Sequence, residues 1–157
     1  MRLSLRSAAD EERAFCESLN RRNMGGYLVS RGIVWDPDRF LASWLEFENL
    51  LIIAESDIVG LLRLVPEQDA LGLRDLQVLP QRQGQGIGTW AVQQAQAITV
   101  SRDLLRLQLR VYEENPARAL YARLGFKTES VAGGTVHMAW AVPGEFNHQL
   151  QHLSGTL

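Results

Sequence analysis

Residues 78–89 read Val78-Leu79-Pro80-Gln81-Arg82-Gln83-Gly84-Gln85-Gly86-Ile87-Gly88-Thr89. Three glycines alternate with larger residues, an apolar run precedes them, and a helical pattern follows. A strand that turns into a helix in this way leaves its backbone open, because glycine tolerates positive φ and lets a ligand approach the main chain. The first N–H groups of a helix lack partners within the helix, and its dipole places partial positive charge there. The stretch therefore predicts a pocket for a phosphate or pyrophosphate group.

Two common glycine motifs fail to match this stretch. The phosphate-binding loop of nucleotide hydrolases ends in Gly-Lys-Ser/Thr, whereas Gly88-Thr89 has no lysine before its threonine. The dinucleotide fingerprint places its third glycine one residue later than Gly88 and needs an acidic residue at the end of the next strand. Asp103 lies near that distance along the chain, but it precedes the strand. An oxidoreductase that binds NAD or FAD is therefore disfavoured.

Hydrophobic periodicity on both sides of the glycines predicts seven strands and four helices. Asp10 is expected to cap the first helix, which runs through Leu19, and Asp36-Pro37 opens the second. Residues 23–34 contain three glycines and are expected to form a loop or a broken helix. The remaining helices are expected at residues 88–102 and from Asn115-Pro116 to Gly125, and the strands at 2–7, 50–54, 58–65, 71–78, 104–112, 126–131 and 135–142.

The order of these elements predicts an α/β fold with a mixed sheet. A strand, a helix and a strand follow one another across residues 71–112. This order requires a parallel, right-handed crossover in that part of the sheet. The three strands before the crossover can form an antiparallel meander.

Length and composition indicate one ordinary domain over residues 1–157, with a core at 2–142 and a polar tail at 143–157. A net charge of −2 argues against a general nucleic-acid binder. Cys16 is the only cysteine and is expected to be a buried thiol, so neither an internal disulfide nor a cysteine zinc cluster is predicted. No apolar run reaches the roughly 18 residues typical of a membrane span, and no secretory signal pattern is present. The expected location is the cytoplasm, away from membranes.

Two motifs resemble those of the GNAT superfamily of acyl-CoA-dependent N-acyltransferases. Gln83-x-x-Gly86-x-Gly88 matches the Q/R-x-x-G-x-G/A signature, and residues 115–126 resemble the second motif of that family. One helix and one strand separate the two motifs, as in the family. The resemblance implies a single-domain GNAT fold, in which a mostly antiparallel sheet with a central parallel βαβ unit is flanked by helices. It covers residues 50–142 well and residues 1–49 only in the order of their elements.

The resemblance implies acetyl-CoA as acyl donor, and no metal. Main-chain atoms of Leu76, Gln77 and Val78 would pair with the pantetheine arm, and one N–H there would stabilise the oxyanion. The side chain of Asn115 would contact the pantetheine while also capping its helix. A tight turn without a ligand is the alternative for the glycines. The residues expected to hold the pyrophosphate are Gly84, Gln85, Gly86, Ile87, Gly88 and Thr89, beside Gln83 of the signature.

The resemblance also implies catalytic groups. Tyr121 would be the general acid that protonates the departing thiolate, since a phenol of pKa near 10 is a suitable donor; the alternative is a core aromatic. Asp75 is the expected general base, because it is the nearest acidic residue in the strand before the glycines. Some relatives carry a glutamate nearer the start of that strand, where this chain has Gly72. The other candidates for the base are Glu67, Asp69 and His137.

The expected function is acetyl transfer from acetyl-CoA to a primary amine, by direct attack in a ternary complex. The acceptor stays open between a small cationic amine, an amino acid, and a protein N-terminus or lysine. Tyr27 and Trp35 belong to the segment where acceptors often lie in the family, and dimerisation is common there. Arg82 and Arg118 could pair with CoA phosphates, whereas Arg123 is expected at the surface. The alternative function is a non-catalytic CoA-binding sensor or interaction module.

Overall fold

A computed structural model describes residues 1–144. The order of its elements is the predicted one, with two short 3-10 turns added at Asp10–Glu12 and Pro80–Arg82. Most of the predicted polar tail lies outside the described residues. The strands and helices are β1 Leu3–Ser7, α1 Arg13–Ser30, α2 Pro37–Glu46, β2 Glu48–Ala54, β3 Asp57–Glu67, β4 Ala70–Val78, α3 Ile87–Ser101, β5 Arg106–Tyr112, α4 Ala117–Arg123, β6 Lys127–Ala132 and β7 Thr135–Ala141.

The strands form one mixed sheet in the order β1-β2-β3-β4-β5-β7-β6. β1 pairs with β2, and β2 with β3, in antiparallel register. β4 and β5 are parallel, with Ala70–Leu73 opposite Arg106–Leu109. β7 lies antiparallel between β5 and β6. The predicted α/β class, with its parallel crossover through α3, is therefore confirmed.

The chain divides into two compact units, Met1–Val65 with Arg74–Ala91, and Pro66–Leu73 with the chain from Val92 onward. In the first unit, apolar side chains of α1, α2, β2 and β3 form a buried cluster. In the second, β5 and β7 present alternate residues to the core, so that Leu109 faces Met138 and Val111 faces Val136. The cluster of the first unit consists of Cys16, Leu19, Phe40, Trp44, Leu51 and Leu61.

Helix α1 is longer than the sequence predicts. The expected loop or broken helix at 23–34 is wrong for residues 23–30, because α1 continues through Gly25 and Gly26 to Ser30, and right for residues 31–34, which lie outside any helix. Glycine weakens a helix through its backbone entropy, but tertiary contacts offset this here. The side chains of Asn20 and Asn23 are bonded to β4. These hydrogen bonds hold the part of α1 just before the glycines against β4.

The helix ends follow local rules except at the start of α1. Asp10 does not cap it; the Glu12 carboxylate accepts from the Ala9 N–H at 2.9 Å, and Asp10 accepts from the Trp44 indole at 3.2 Å. Asp36 caps α2 as predicted, because its Oδ1 accepts from the Asp38 N–H at 2.9 Å. No helix of the described residues is both long and apolar enough to span a bilayer.

Strand β6 forms one edge of the sheet, and all six of its residues are exposed. Its register against β7 shifts between Thr128 and Ser130. Glu129, at this irregularity, forms an ion pair with Arg106 at 3.0 Å.

Candidate functional site

The glycine turn of the first unit has an open backbone. Gly84 and Gly86 adopt φ of +78° and +83°, and a Cβ added at either would meet no atom within 4 Å. Helix α3 begins directly afterwards at Ile87, and the Trp90 N–H bonds to the Gly86 carbonyl at 3.0 Å. The N–H groups of the three preceding residues therefore stand in the unpaired first turn of α3. Gly88 lies inside this turn with ordinary helical geometry.

The end of β4 is held by side-chain amides. The Val78 carbonyl accepts from Asn23 Nδ2 at 3.0 Å and from Gln83 Nε2 at 3.2 Å. Asn23 Nδ2 also donates to Gln77 Oε1 at 3.0 Å. Gln83 of the signature thus connects the strand end to the glycine turn.

Gly60 allows β3 and β4 to approach closely beside this strand end. A Cβ at Gly60 would lie 2.6 Å from the Gln77 carbonyl oxygen, which is too short for a real contact. Any larger residue at position 60 would therefore displace the main chain of Gln77. Gly60 is not among the predicted site residues, although a lone glycine in an apolar strand signals a close backbone approach.

Asp75 is buried in an ion pair with Arg63. Nη1 of Arg63 lies 3.4 Å from Oδ2 of Asp75, and the two side chains are 4% and 8% exposed. Oδ2 also accepts from Asn20 Nδ2 at 2.7 Å, and Oδ1 accepts from Gln77 Nε2 at 2.8 Å. Burial raises the pKa of Asp75, and these donors and the Arg63 charge oppose the rise.

Arg63 lies between aromatic rings and polar side chains. Its Cζ is 4.3 Å from the centroid of the Phe40 ring and 5.0 Å from that of Phe47. Its Nε donates to Asn49 Oδ1 at 2.9 Å, and Nη2 donates to the Ser43 hydroxyl. Burial lowers the pKa of Arg63, and the Asp75 charge opposes this. Arg63 is not among the predicted site residues, although a charged residue within the apolar run 61–65 is a signal for a buried ion pair.

The segment after α1 connects to Asp75 through Asn20. The indole Nε1 of Trp35 donates to Asn20 Oδ1 at 2.8 Å. The guanidinium of Arg21 lies over the Trp35 ring, 5.5 Å from its centroid. Trp35 and Tyr27 are both half-buried.

Cys16 is a buried thiol, as expected. It is 0% exposed, and burial raises its pKa to about 11. The charge of Arg63 lowers this pKa by a smaller amount. A thiol in this state is a poor nucleophile, because the thiolate is the reactive form.

Tyr121 and Asn115 belong to the second unit. Tyr121 is 7% exposed, and its ring lies 5.7 Å from that of Phe126. Asn115 Oδ1 accepts from the Ala117 N–H at 3.0 Å. Because α4 begins at Ala117 with Pro116 in the N-cap position, Asn115 caps the turn that leads into the helix, one residue earlier than predicted. Gly125 ends the helix at φ +95°, and the Phe126 N–H bonds to the Tyr121 carbonyl at 3.1 Å.

Glu67 fills the space beside Gly72 in the second unit. A Cβ at Gly72 would approach Glu67 Cδ to 2.7 Å. The Glu67 carboxylate also accepts from Gln108 Nε2, and Gln108 stands opposite Gly72 in the parallel register. The two other candidate bases lie elsewhere in this unit. Asp69 is exposed in the β3–β4 turn, and His137 is half-buried opposite Arg110.

The arginines near the motifs have local partners or are exposed. Arg82 Nε donates to Gln85 Oε1 at 3.0 Å, and Arg118 Nη1 donates to the Glu113 carbonyl at 3.3 Å. Arg123 is exposed in the last turn of α4. Residues 1–144 contain no cluster of three or more His, Cys, Asp or Glu that could hold a metal ion.

A sequence profile described as "Acetyltransferase (GNAT) family" matches residues 13–126. No curated protein sequence matches the chain. Among solved structures, the PaiA N-acetyltransferase of Thermoplasma acidophilum, in complex with coenzyme A, is similar with a TM-score of 0.72 and 18% identity. The similarity covers 90% of this chain and 99% of that one.

Two further solved structures are similar over most of their length. The ribosomal-protein-S18-alanine N-acetyltransferase of Escherichia coli has a TM-score of 0.73 and 18% identity, covering 90% of this chain and 94% of that one. The spermidine N-acetyltransferase of Vibrio cholerae, in complex with CoA and spermine, has a TM-score of 0.72 and 19% identity, covering 92% and 97%. At these identities the likeness concerns the fold.

Proposed function

The chain belongs to the GNAT acetyltransferase family, and on this premise we propose that it transfers an acetyl group from acetyl-CoA to a primary amine in a ternary complex. The observation that carries the proposal is the open glycine turn at the start of α3. Exposed main-chain N–H groups at a helix N-terminus suit a pyrophosphate. Gly84 and Gly86 adopt positive φ and carry no side chain that could block the approach of a pyrophosphate.

In this proposal the main chain of residues 76–78 binds the pantetheine arm, and residues 83–89 bind the pyrophosphate. Asn23 and Gln83 donate hydrogen bonds to the Val78 carbonyl. These bonds hold the end of the strand, so that its other main-chain groups can bind the ligand. Asn115 both caps α4 and contacts the pantetheine. Fixed donors are effective in this role because they need no reorganisation as charge develops on the thioester oxygen.

Tyr121 is the proposed general acid. The amine nitrogen first attacks the thioester carbon to form the C–N bond and loses a proton to the base. The phenolic proton of Tyr121 then passes to the sulfur as the C–S bond breaks and the oxyanion returns to a carbonyl. The ring is buried against Phe126, Asn115 bonds to the first N–H of its helix, and Gly125 follows the last turn at positive φ. Such support holds a donor in one position, which proton transfer requires.

Asp75 is the proposed general base. Burial raises its pKa, and a base is most effective when its pKa lies near the working pH. A carboxylate offers about four lone-pair positions, and three described donors reach Asp75, so one position is left for a proton. Glu67 is the rival, because its carboxylate occupies the space beside Gly72.

Direct attack is favoured over an acetyl-enzyme intermediate. Cys16 is the only thiol in the sequence, and it is buried with a pKa near 11.

Thermal unfolding with acetyl-CoA, CoA and NAD added separately tests the proposal. A ligand at a hundred times its Kd stabilises the folded protein by about 2.7 kcal/mol, which is roughly 5–10 °C for a domain of this size. We expect a shift with acetyl-CoA and CoA and none with NAD. Release of CoA thiol on adding an amine then separates an enzyme from a non-catalytic CoA-binding module. No shift at saturating acetyl-CoA would contradict the proposal.

A further inference from the structure

Residues 18–35, which run from Ser18 of α1 to Trp35 just before the N-cap of α2, carry an excess of positive charge. They contain three arginines and no aspartate or glutamate, in a chain whose formal net charge is −2. Arg21 and Arg22 are exposed, and Arg31 is half-buried. We call residues 18–35 the basic segment.

The basic segment contacts the end of β4. Asn20 bonds to Asp75, and Asn23 bonds to the Val78 carbonyl. Under the proposed function the thioester lies along the main chain of residues 76–78. An amine that reaches the thioester therefore passes close to the basic segment.

Arg21 is held in a position suited to an anion. Its guanidinium lies over the Trp35 ring, and Asn20 fixes that ring through the indole N–H. A guanidinium stacked on a ring keeps its in-plane N–H groups available, and their geometry matches a carboxylate. In the part of the chain that the structure describes, neither Arg21 nor Arg22 forms an ion pair.

Carboxylates also border the segment: Asp36 and Asp38 follow it at the start of α2, where Asp36 caps the helix. Asp75 is paired with Arg63 inside the first unit, so the pair adds no net negative charge at the segment. Charges at the surface act over about 8–10 Å at physiological ionic strength. The arginines of the segment repel a polycationic amine and attract an anionic group.

We infer that the acceptor is an amine that also carries a carboxylate, of the amino-acid class, and that Arg21 binds this carboxylate. The inference rests on the proposed function and narrows its substrate class. Binding the carboxylate would hold the amino group of the same molecule near residues 76–78. An acceptor of this class would differ from the substrate of the similar protein named as a spermidine N-acetyltransferase.

Matched acceptor pairs test the inference. CoA release is measured with saturating acetyl-CoA for a panel of L-amino acids, the α-carboxamide of each, and spermidine. At least one free amino acid should exceed its amide and spermidine by about tenfold or more in kcat/KM, the range expected for a hydrogen bond to a charged group. High salt should reduce this preference.

Arg21→Gln supplies the residue-level test. It should raise KM for the preferred amino acid about tenfold or more, with KM for acetyl-CoA and KM for the amide unchanged. Arg13→Gln is the matched control, because Arg13 lies on the same helix outside the basic segment and pairs with Glu17. The control should leave all three constants unchanged.

The outcomes separate this inference from the proposed function. An acetyl-CoA shift with spermidine as the better acceptor overturns the inference alone. So does an unchanged acceptor KM in Arg21→Gln. If no acceptor turns over, calorimetric titration of the panel into the CoA complex decides, and absence of binding by every free amino acid overturns the inference. Absence of any acetyl-CoA shift overturns the proposed function itself.

Discussion

The guanidinium of Arg63 and the carboxylate of Asp75 form a buried ion pair, with Nη1 and Oδ2 3.4 Å apart. The two residues come from neighbouring regions of β3 and β4, and the pair is surrounded by groups from both helices of the first unit. Removing one partner of a buried ion pair leaves an uncompensated charge in the interior, which lowers the stability of the folded protein.

Arg63→Met should therefore destabilise the protein by about 3–5 kcal/mol, the usual range for a buried charge left without its partner. Urea unfolding monitored by circular dichroism measures the loss. Adding Asp75→Leu to Arg63→Met should recover most of it, because an apolar pair of similar volume fits such a site. A single variant that loses less than about 1 kcal/mol, the level of an exposed pair, would contradict this.

Asp75→Asn should lower kcat/KM by about a hundredfold or more at neutral pH if Asp75 is the base. Because burial raises the pKa of Asp75, wild-type kcat/KM should fall as pH drops through that raised value, and the variant should lose this limb. Steady-state rates across pH measure both effects.

Glu67→Gln is the control for the base. It should retain the wild-type profile and kcat/KM within about threefold, well below the usual effect of losing a general base. The reverse pattern would move the role to Glu67. The acetyl-CoA-induced shift in unfolding temperature should persist in both variants, which shows that the donor site is intact.

Gly86→Ala should raise KM for acetyl-CoA about tenfold or more, equivalent to about 1.4 kcal/mol or more of lost binding. Its φ of +83° strains any residue with a Cβ, and that Cβ would lie in the proposed pyrophosphate site. Gly26→Ala is the matched control: Gly26 lies in α1 with open space around a Cβ. It should stabilise the protein by about 0.5–1 kcal/mol without changing KM.

If Tyr121 is the general acid, Tyr121→Phe should reduce kcat about a hundredfold or more while KM for acetyl-CoA changes little, because only the proton donor is lost. Tyr112→Phe removes the same hydroxyl from β5 and should leave kcat unchanged. A Tyr121→Phe enzyme with wild-type kcat would remove Tyr121 from the mechanism.

Cys16 should resist thiol reagents in the folded protein. With a pKa near 11, about a thousandth of it is thiolate at pH 8, and the side chain is fully buried. Reaction with a chromogenic disulfide should occur only after unfolding in guanidinium. Rapid labelling of the native protein would indicate that the core around Cys16 opens.

Local signals were sufficient for much of the fold. Asp36-Pro37 specifies the start of α2, and Asn115 with Gly125 specifies both ends of α4, because capping involves atoms a few residues apart. The glycine turn was recognised for the same reason. Its two positive-φ residues and the helix after it are neighbours in sequence.

Contacts between distant residues were not predictable in this way. The continuation of α1 through Gly25 depends on Asn23, whose partner Val78 lies 55 residues away. Helix propensity alone predicts that such a segment is not a continuous helix. Strand register likewise determines the Arg63–Asp75 pair and the position of Glu67 beside Gly72. The hydrophobic pattern of one strand defines this register only when its neighbouring strand is known.

The exposed edge strand β6 affects the tendency of the protein to aggregate at high concentration. An open strand edge can recruit a second chain and extend into an aggregate. Here Lys127 begins the strand, and the irregularity at Glu129 interrupts its ladder. Both features discourage continuous pairing with another copy. Concentrated samples should therefore resist fibril growth from this edge, and any dimer should form through another face.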